Sequence, residues 1–304
     1  MSLAAAKSRP IDTAATIDGP FGPADRLLSL PVGDVVAAYR RKCGADVAPW
    51  FGTLREIQLF ECRATGYRFW RPESIAGDER FYRYLAQLSP DYYHAERWEY
   101  PFVRRLAAPS DRVLEIGCGR GFFLRSLEGR VADAIGVEFN REAIDGKVTR
   151  FPIVESAIEQ VAAAAPERFS LVCGFQVLEH VVAPEAFLAA CVKCLRSGGV
   201  LALATPNHTS AMLARREDAF DLPPHHMGHF SAPVYERLAQ RYGLAVRQIH
   251  IEKRYFELND TVTDTTRGAF VYRAARRVAS ALMGFAYERT HEPGNNVLAI
   301  LRKS

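Results

Sequence analysis

Val113-Leu-Glu-Ile-Gly-Cys-Gly-Arg-Gly121 is the stretch on which the fold turns. An apolar run that ends in three glycines, with GFFLRSLEG after it, reads as a buried strand, a tight loop and the start of a helix. Glycines in such a loop let a ligand approach the backbone, and the helix N-terminus offers unpaired N–H groups. A dinucleotide-binding loop wants GxGxxG, with its third glycine at position 122. Position 122 is Phe, and the spacing is GxGxG. Two residues before Gly117 stands Glu115. A carboxylate beside the loop repels a pyrophosphate and suits a cationic group such as an amino acid's ammonium. Further on, GVEFN carries Glu138, 21 residues after Gly117. An acid at that place can accept hydrogen bonds from two ribose hydroxyls. Together the two acids point to a nucleoside with a positively charged amino-acid tail.

The alternation continues outward from this loop. RVLEIGC, DAIGVEFN, FPIVES, FSLVCGF, VLALATPN, LAVRQIHIEK and NNVLAILRK read as seven strands. Helical segments separate them, among them REAIDGKV, APVYERLAQRYGL and PEAFLAACVKCLRSGG, the last expected to end in its Gly-Gly pair. Short apolar runs alternating with helices mean a mostly parallel sheet covered on both faces.

With these motifs in hand, the chain resembles the class I S-adenosylmethionine-dependent methyltransferases. VLEIGCGRG, GVEFN, LVCGFQVLEHV and LRSGGVLALATPN carry the resemblance, in order and at normal spacings. The subtype it suggests is small-molecule or surface-polysaccharide-associated. It implies an α/β, Rossmann-like seven-stranded sheet, with an N-terminal accessory region and a helical insertion before the last strand. It also implies S-adenosyl-L-methionine as cofactor. Glu115 would lie near the methionine amino group, with Gly117, Cys118, Gly119 and Gly121 forming the loop around the cofactor. Glu138 would hold the ribose and Phe139 lie against the adenine. Ser156, Ala157 and Ile158 would border the adenine, and Gly174, Phe175 and Gln176 would close over the sulfonium end. Phe169-Ser170 stands where such proteins often have Phe-Asp.

Methyl transfer to a hydroxyl needs a group that takes the acceptor's proton, and histidine is the natural candidate. His180 follows the fourth strand in VLEHV. DLPPHHMGHFS follows the fifth strand and places His225, His226 and His229, three of the eight histidines, within five positions. The proline pair stiffens this loop. The catalytic candidates are His226, His229 and His180, with His225 as a substrate contact. No metal is assigned: His225 and His226 are adjacent and expected to point apart, while His229 would need an acid such as Asp221. Methylation on oxygen is the leading reading. Methylation on carbon or nitrogen of a nucleotide-linked sugar and a non-catalytic cofactor-binding scaffold are the alternatives.

The flanks carry the remaining expectations. Residues 1–30 are rich in Ala, Pro, Gly and Asp without periodicity and read as a disordered arm. Residues 31–109 form an accessory region, a lid or substrate wall, in which Ile57–Cys62 and Tyr67–Trp70 read as strands around a turn. Helices are expected in GDERFYRYLAQL, with Phe81, Leu85 and Leu88 on one face, and in DYYHAERWEYPFVRRLA. Tyr92 and Trp98 are candidate contacts for a saccharide-like acceptor. The catalytic domain spans 110–304, with an insertion at 252–294 whose RGAFVYRAARRVASALMGFAYER is a basic amphipathic helix. That helix suits packing on the sheet or a dimer contact, and alternatively peripheral contact with an anionic membrane or binding of a phosphate-bearing substrate.

Composition closes off other classes. With 48% hydrophobic and 24% charged residues, the 304-residue chain is an ordinary folded protein. A net charge of +4, with its surplus in the C-terminal quarter, lacks the concentrated basic face of a nucleic-acid binder. No uncharged run approaches the roughly 20 residues of a bilayer span, and the N-terminus has no signal-peptide core. Six scattered cysteines suit reduced thiols, so a cytoplasmic enzyme is expected.

Overall fold

A computed structural model describes residues 15–88, 94–209, 218–252 and 294–304. It holds two sheets. The first begins inside the stretch expected as a disordered arm. There β1 (Thr16–Gly19) and β2 (Gly22–Pro31) form an antiparallel hairpin. Phe21 in its turn is buried, its ring edge-on to Tyr67 at 5.1 Å. Burying one such side chain supplies about 1.5–3 kcal/mol and adds to the pairing of β2 with β3, which together order a stretch that has no periodicity of its own. Next comes α1 (Val32–Cys43), which buries Val32, Val35, Val36 and Tyr39. Its basic last turn, with Arg40 and Arg41, masks the apolar face in the sequence.

The two strands expected around Thr65-Gly66 are present as β3 (Glu56–Cys62) and β4 (Arg68–Arg71). The expected helix after them is α2 (Glu79–Leu88), with Phe81 and Leu85 buried but Leu88 40% exposed. The helix expected over 91–107 is reduced, among the described residues, to α3 (Tyr100–Arg104), in which Pro101 sits at the start. A proline there is tolerated, but it bars a helix running through from upstream.

The second sheet contains all seven expected strands. They are β5 (Arg112–Ile116), β6 (Asp133–Val137), β7 (Ile153–Val154), β8 (Phe169–Phe175), β9 (Leu195–Pro206), β11 (Leu244–Ile251) and β12 (Asn296–Lys303). Their order is β11-β12-β9-β8-β5-β6-β7, with β5 to β9 parallel and β12 antiparallel to both its neighbours. Every residue of β8 is buried, as a central parallel strand requires. The covering helices are α4 (Phe122–Ser126), α5 (Arg141–Asp145), α6 (Ile158–Ala164), α7 (Pro184–Cys194) and α8 (Ala232–Arg241). α7 does not reach the Gly-Gly pair expected to cap it. Fully buried Leu195 already pairs with Phe169 as the first residue of β9, so sheet burial ends the helix four residues early.

The chain leaves β5 for β6 on one side and returns to β8 on the other. This is a topological switch point, and ligands of α/β sheets bind beyond the strand ends there. The two sheets meet through the histidine loop. β10 (Gly228–His229) pairs antiparallel with β4, Gly228 opposite Phe69 and His229 opposite Arg68. The loop is therefore the fifth strand of the N-terminal sheet, and the boundary expected at 109/110 does not separate it from the accessory region. Tyr39 of α1 ties the same loop down, its hydroxyl donating to the Leu222 carbonyl at 2.8 Å. Residues 253–293 of the expected insertion lie outside the described residues. Among the described residues no helix is long and apolar enough to cross a membrane.

Candidate active site

The carboxyl ends of β5, β6 and β8 open on a cavity of about 750 Å³, a volume usual for small-molecule sites. Gly117, Cys118 and Gly119 line it. Gly117 sits at φ 62°, and a Cβ there would come 2.4 Å from Cγ2 of Val177, so this backbone admits glycine alone. Gly121 does not line the cavity. It caps α4 at φ 78° with Thr149 and Ile153 against it, and so serves packing.

Glu138, at the end of β6, is held by three backbone donors. Its Oε2 accepts from the Gly119 N–H at 2.8 Å, and its Oε1 accepts from Phe139 and Asn140 at 2.8 and 2.9 Å. An ionised carboxylate offers about four acceptor sites, so capacity for a ligand hydroxyl remains. Phe139, 64% exposed, presents its ring to the same space. At the end of β7 the cavity is lined by Glu155, which pairs with Arg141 at 2.8 Å. Ser156, Ala157 and Ile158 do not line it. Ser156 Oγ donates to Gln160 Oε1 at 3.0 Å and Ile158 is buried, because α6 begins there. At the end of β8, Phe175 and Gln176 line the cavity, whereas Gly174 remains inside the strand against Leu203.

Two buried carboxylates face this space. Glu115 and Glu179 are 2% and 1% exposed, and Glu115 Oε2 and both Glu179 oxygens lack a hydrogen-bond partner. Burial raises Glu115 well above the ordinary carboxylate range, against the opposing backbone of Leu124 and the charge of Arg97. Burial likewise pushes Glu179 up to about 8. Orphaned carboxylate oxygens on a cavity wall are seats for a cation. Arg97, Tyr100 and Glu179 line the cavity without having been singled out in the sequence. Glu179 adjoins the chosen His180, while Arg97 and Tyr100 carry no local signal.

Imidazoles line the same cavity, those of His180, His225 and His226. The rings of His225 and His226, expected to diverge, instead stack at 4.5 Å and 20°. Both their backbone N–H groups donate to Leu222 O, and this tight turn brings neighbouring side chains to one side. His229 does not reach the cavity. It lies behind, its Nε2 3.1 Å from the Asp221 carbonyl, with Trp70 edge-on at 6.2 Å. Asp221 is the acid expected as its partner, and it serves His226 as well, with Oδ1 3.3 Å from His226 Nδ1. Burial pushes His180 down to about 4 and drives His225 and His226 well below the usual histidine value, so all three are neutral at pH 7. Trp98 also misses the cavity; it packs edge-on against Phe102 at 5.8 Å. Tyr92 lies outside the described residues.

A family profile described as a methyltransferase domain matches residues 91–249. A ubiquinone biosynthesis O-methyltransferase of Xanthomonas campestris pv. campestris is 34% identical over 119 residues, covering 36% of this chain and 49% of that protein. A protein of the same description from Hahella chejuensis is 30% identical over 164 residues, covering 51% and 62%. The chain thus spans about half the length of the first of these relatives. Among solved structures, a methyltransferase of Thermotoga maritima matches with a TM-score of 0.50 at 18% identity, covering 74% of this chain and 97% of that one. That likeness concerns the fold.

Proposed function

The chain belongs to the methyltransferase-domain family, and from that premise we propose that it transfers a methyl group from S-adenosylmethionine to a hydroxyl of a small molecule. The observation that carries this reading is one cavity lined by two unlike sets of groups. Glu115 and Glu138 line it beside the glycine loop, and three imidazoles line the same cavity. The residues fit the cofactor. Glu115 Oε2, buried without a partner, suits the ammonium; Glu138 suits the ribose hydroxyls, and Phe139 the adenine. When bound, the cofactor supplies a methyl carbon already activated by its sulfonium leaving group. The chain's own task is then to hold the acceptor oxygen in line and to see its proton removed. His180, His225 and His226, which line the cavity, are the candidates to meet that oxygen.

The description carried by the Xanthomonas and Hahella relatives supports a hydroxyl acceptor. A saccharide acceptor draws no support from Trp98, which packs against Phe102 and does not line the cavity. Six free cysteines support a reducing, cytoplasmic setting. Titration calorimetry is expected to show binding of S-adenosylhomocysteine and none of NAD, and labelled methyl from S-adenosylmethionine is expected on hydroxylated aromatics. Binding of NAD with no binding of S-adenosylhomocysteine would overturn the proposal.

Two substitutions probe the cofactor residues. Glu138→Ala removes the acceptor of the ribose hydroxyls and of three backbone N–H groups. It should weaken S-adenosylhomocysteine by about 1–3 kcal/mol, roughly one to two decades in Kd. Unchanged calorimetric affinity would sink the ribose assignment. Glu115→Gln is read through pH. A carboxylate whose folded pKa is raised binds more protons in the folded than in the unfolded state, so its charge destabilises the fold increasingly as pH rises above the ordinary carboxylate range. The variant should therefore gain melting temperature over the parent at pH 8 and lose that advantage at pH 5. Saturating S-adenosylhomocysteine, which brings an ammonium to the carboxylate, should cancel the gain at pH 8. A pH-independent difference would show that Glu115 is not held in this way.

A further inference from the structure

We infer that His180, His225 and His226 form a binding site for a divalent transition-metal ion in the cavity. One ring nitrogen from each comes within 4.8 Å of those of the other two. All three side chains line the cavity, so an ion among them would face the ligand space. The rings pack against one another: His180 is inclined at 63° and 62° to the stacked pair, with centroids at 4.6 and 5.0 Å. They come from two separate segments, one after β8 and one after β9, and three different anchors hold them there.

Those anchors set the tautomers. His180 Nδ1 lies 2.6 Å from the His225 carbonyl, His225 Nδ1 2.9 Å from the Phe220 carbonyl, and His226 Nδ1 3.3 Å from Asp221 Oδ1. An Nδ1–H that donates to oxygen leaves Nε2 as the lone-pair nitrogen in His225 and His226. Ligating histidines are oriented by this same outer hydrogen bond. His180 also has a backbone hydrogen bond to Gln176, and its Nε2 lies 3.9 Å from Glu179 Oε1, so that ring must turn from Gln176 to ligate. Asp221 also lies 3.6 Å from His229 Nε2, so His229 is a positioning residue that acts through the acid holding His226.

The donor set names the ion's class. Three imidazoles suit zinc, cobalt or nickel, while magnesium and calcium want oxygen. A tetrahedral zinc with Zn–N near 2.1 Å needs nitrogens roughly 3.4 Å apart, so the rings close inward on loading. Three protein ligands leave a coordination position open. Its use, unlike its existence, rests on the O-methylation reading: the position would take the acceptor hydroxyl and lower its pKa. The proton then leaves to solvent, the oxygen's electron pair forms the O–CH3 bond, and the breaking S–CH3 bond leaves its pair on sulfur.

The test uses untagged full-length protein stripped with EDTA and titrated with zinc, with cobalt as a spectroscopic probe. One zinc per chain is expected by elemental analysis after dialysis. Affinity should fall about 100-fold or more in His180→Ala and in His225→Ala. Both variants should bind S-adenosylhomocysteine with near-parental affinity, which shows that they fold. A parent without a saturable zinc site, or variants with undiminished zinc, would overturn the inference. If a variant fails to fold, modification of the parent by diethyl pyrocarbonate decides: zinc should protect three histidines, and no protection overturns the site. Full methyl transfer by the stripped protein overturns the metal's role and leaves an imidazole as the direct base. Loss of S-adenosylhomocysteine binding in the parent would instead strike at the methyltransferase reading itself.

Discussion

His226→Ala is expected to lower turnover by about 10²–10⁴ while leaving the affinity for S-adenosylhomocysteine nearly intact. The ring lines the cavity and is held by Asp221, so under the proposed function its loss removes a group that meets the acceptor, not one that meets the cofactor. His229→Ala should behave differently. His229 is 9% exposed and lies behind Asp221, outside the cavity. Removing it should cost about 1–3 kcal/mol of stability through the hydrogen bond lost to the buried Asp221 carbonyl, with turnover falling by roughly tenfold or less. Steady-state kinetics beside thermal melts separate the two. A well-folded His226→Ala enzyme with normal turnover would remove the loop from the mechanism.

Gly117→Ala is expected to be the most damaging change on the cofactor side. The left-handed backbone at φ 62° costs a residue with a Cβ about 1–2 kcal/mol, and the 2.4 Å approach to Val177 adds about 1–3 kcal/mol of overpacking. Denaturant unfolding should show a loss of about 2–5 kcal/mol, and S-adenosylhomocysteine binding should fall by at least about 10²-fold as the loop shifts. Adding Val177→Ala should restore the steric part and leave the backbone part. A double variant no more stable than Gly117→Ala alone would show that the loop's constraint is conformational only.

Much of the fold was legible because it is written locally. Seven apolar runs, each cut by glycine, proline or a helix, are the seven strands of the second sheet. The glycine loop, Glu115 and Glu138 needed only the strand ends to be placed, since a parallel sheet brings successive strand ends to one edge. Errors arose where burial by distant residues outweighs local pattern. Thr16–Pro31 has no periodicity, yet it is a hairpin, because Phe21 finds Tyr67. Leu195 follows helical sequence, yet it begins β9, because Phe169 stands beside it. Gly121 and Ser156 to Ile158 sit in the right loops, but their contacts run inward to Thr149, Gln160 and the core.

By itself, then, the sequence determined the order of the seven strands of the second sheet, the glycine loop around residue 117 and the two acids beside it. Each of these depends on neighbours along the chain. Only the tertiary structure decided which histidines meet. His225 and His226 turn together because both amides share the Leu222 carbonyl, and His180 joins them through the His225 carbonyl. His229 is drawn away because its strand pairs with Arg68 of β4, which lies 161 positions earlier. Convergence of that kind follows from hydrogen bonds and packing between distant segments, and residue spacing carries no signal of it.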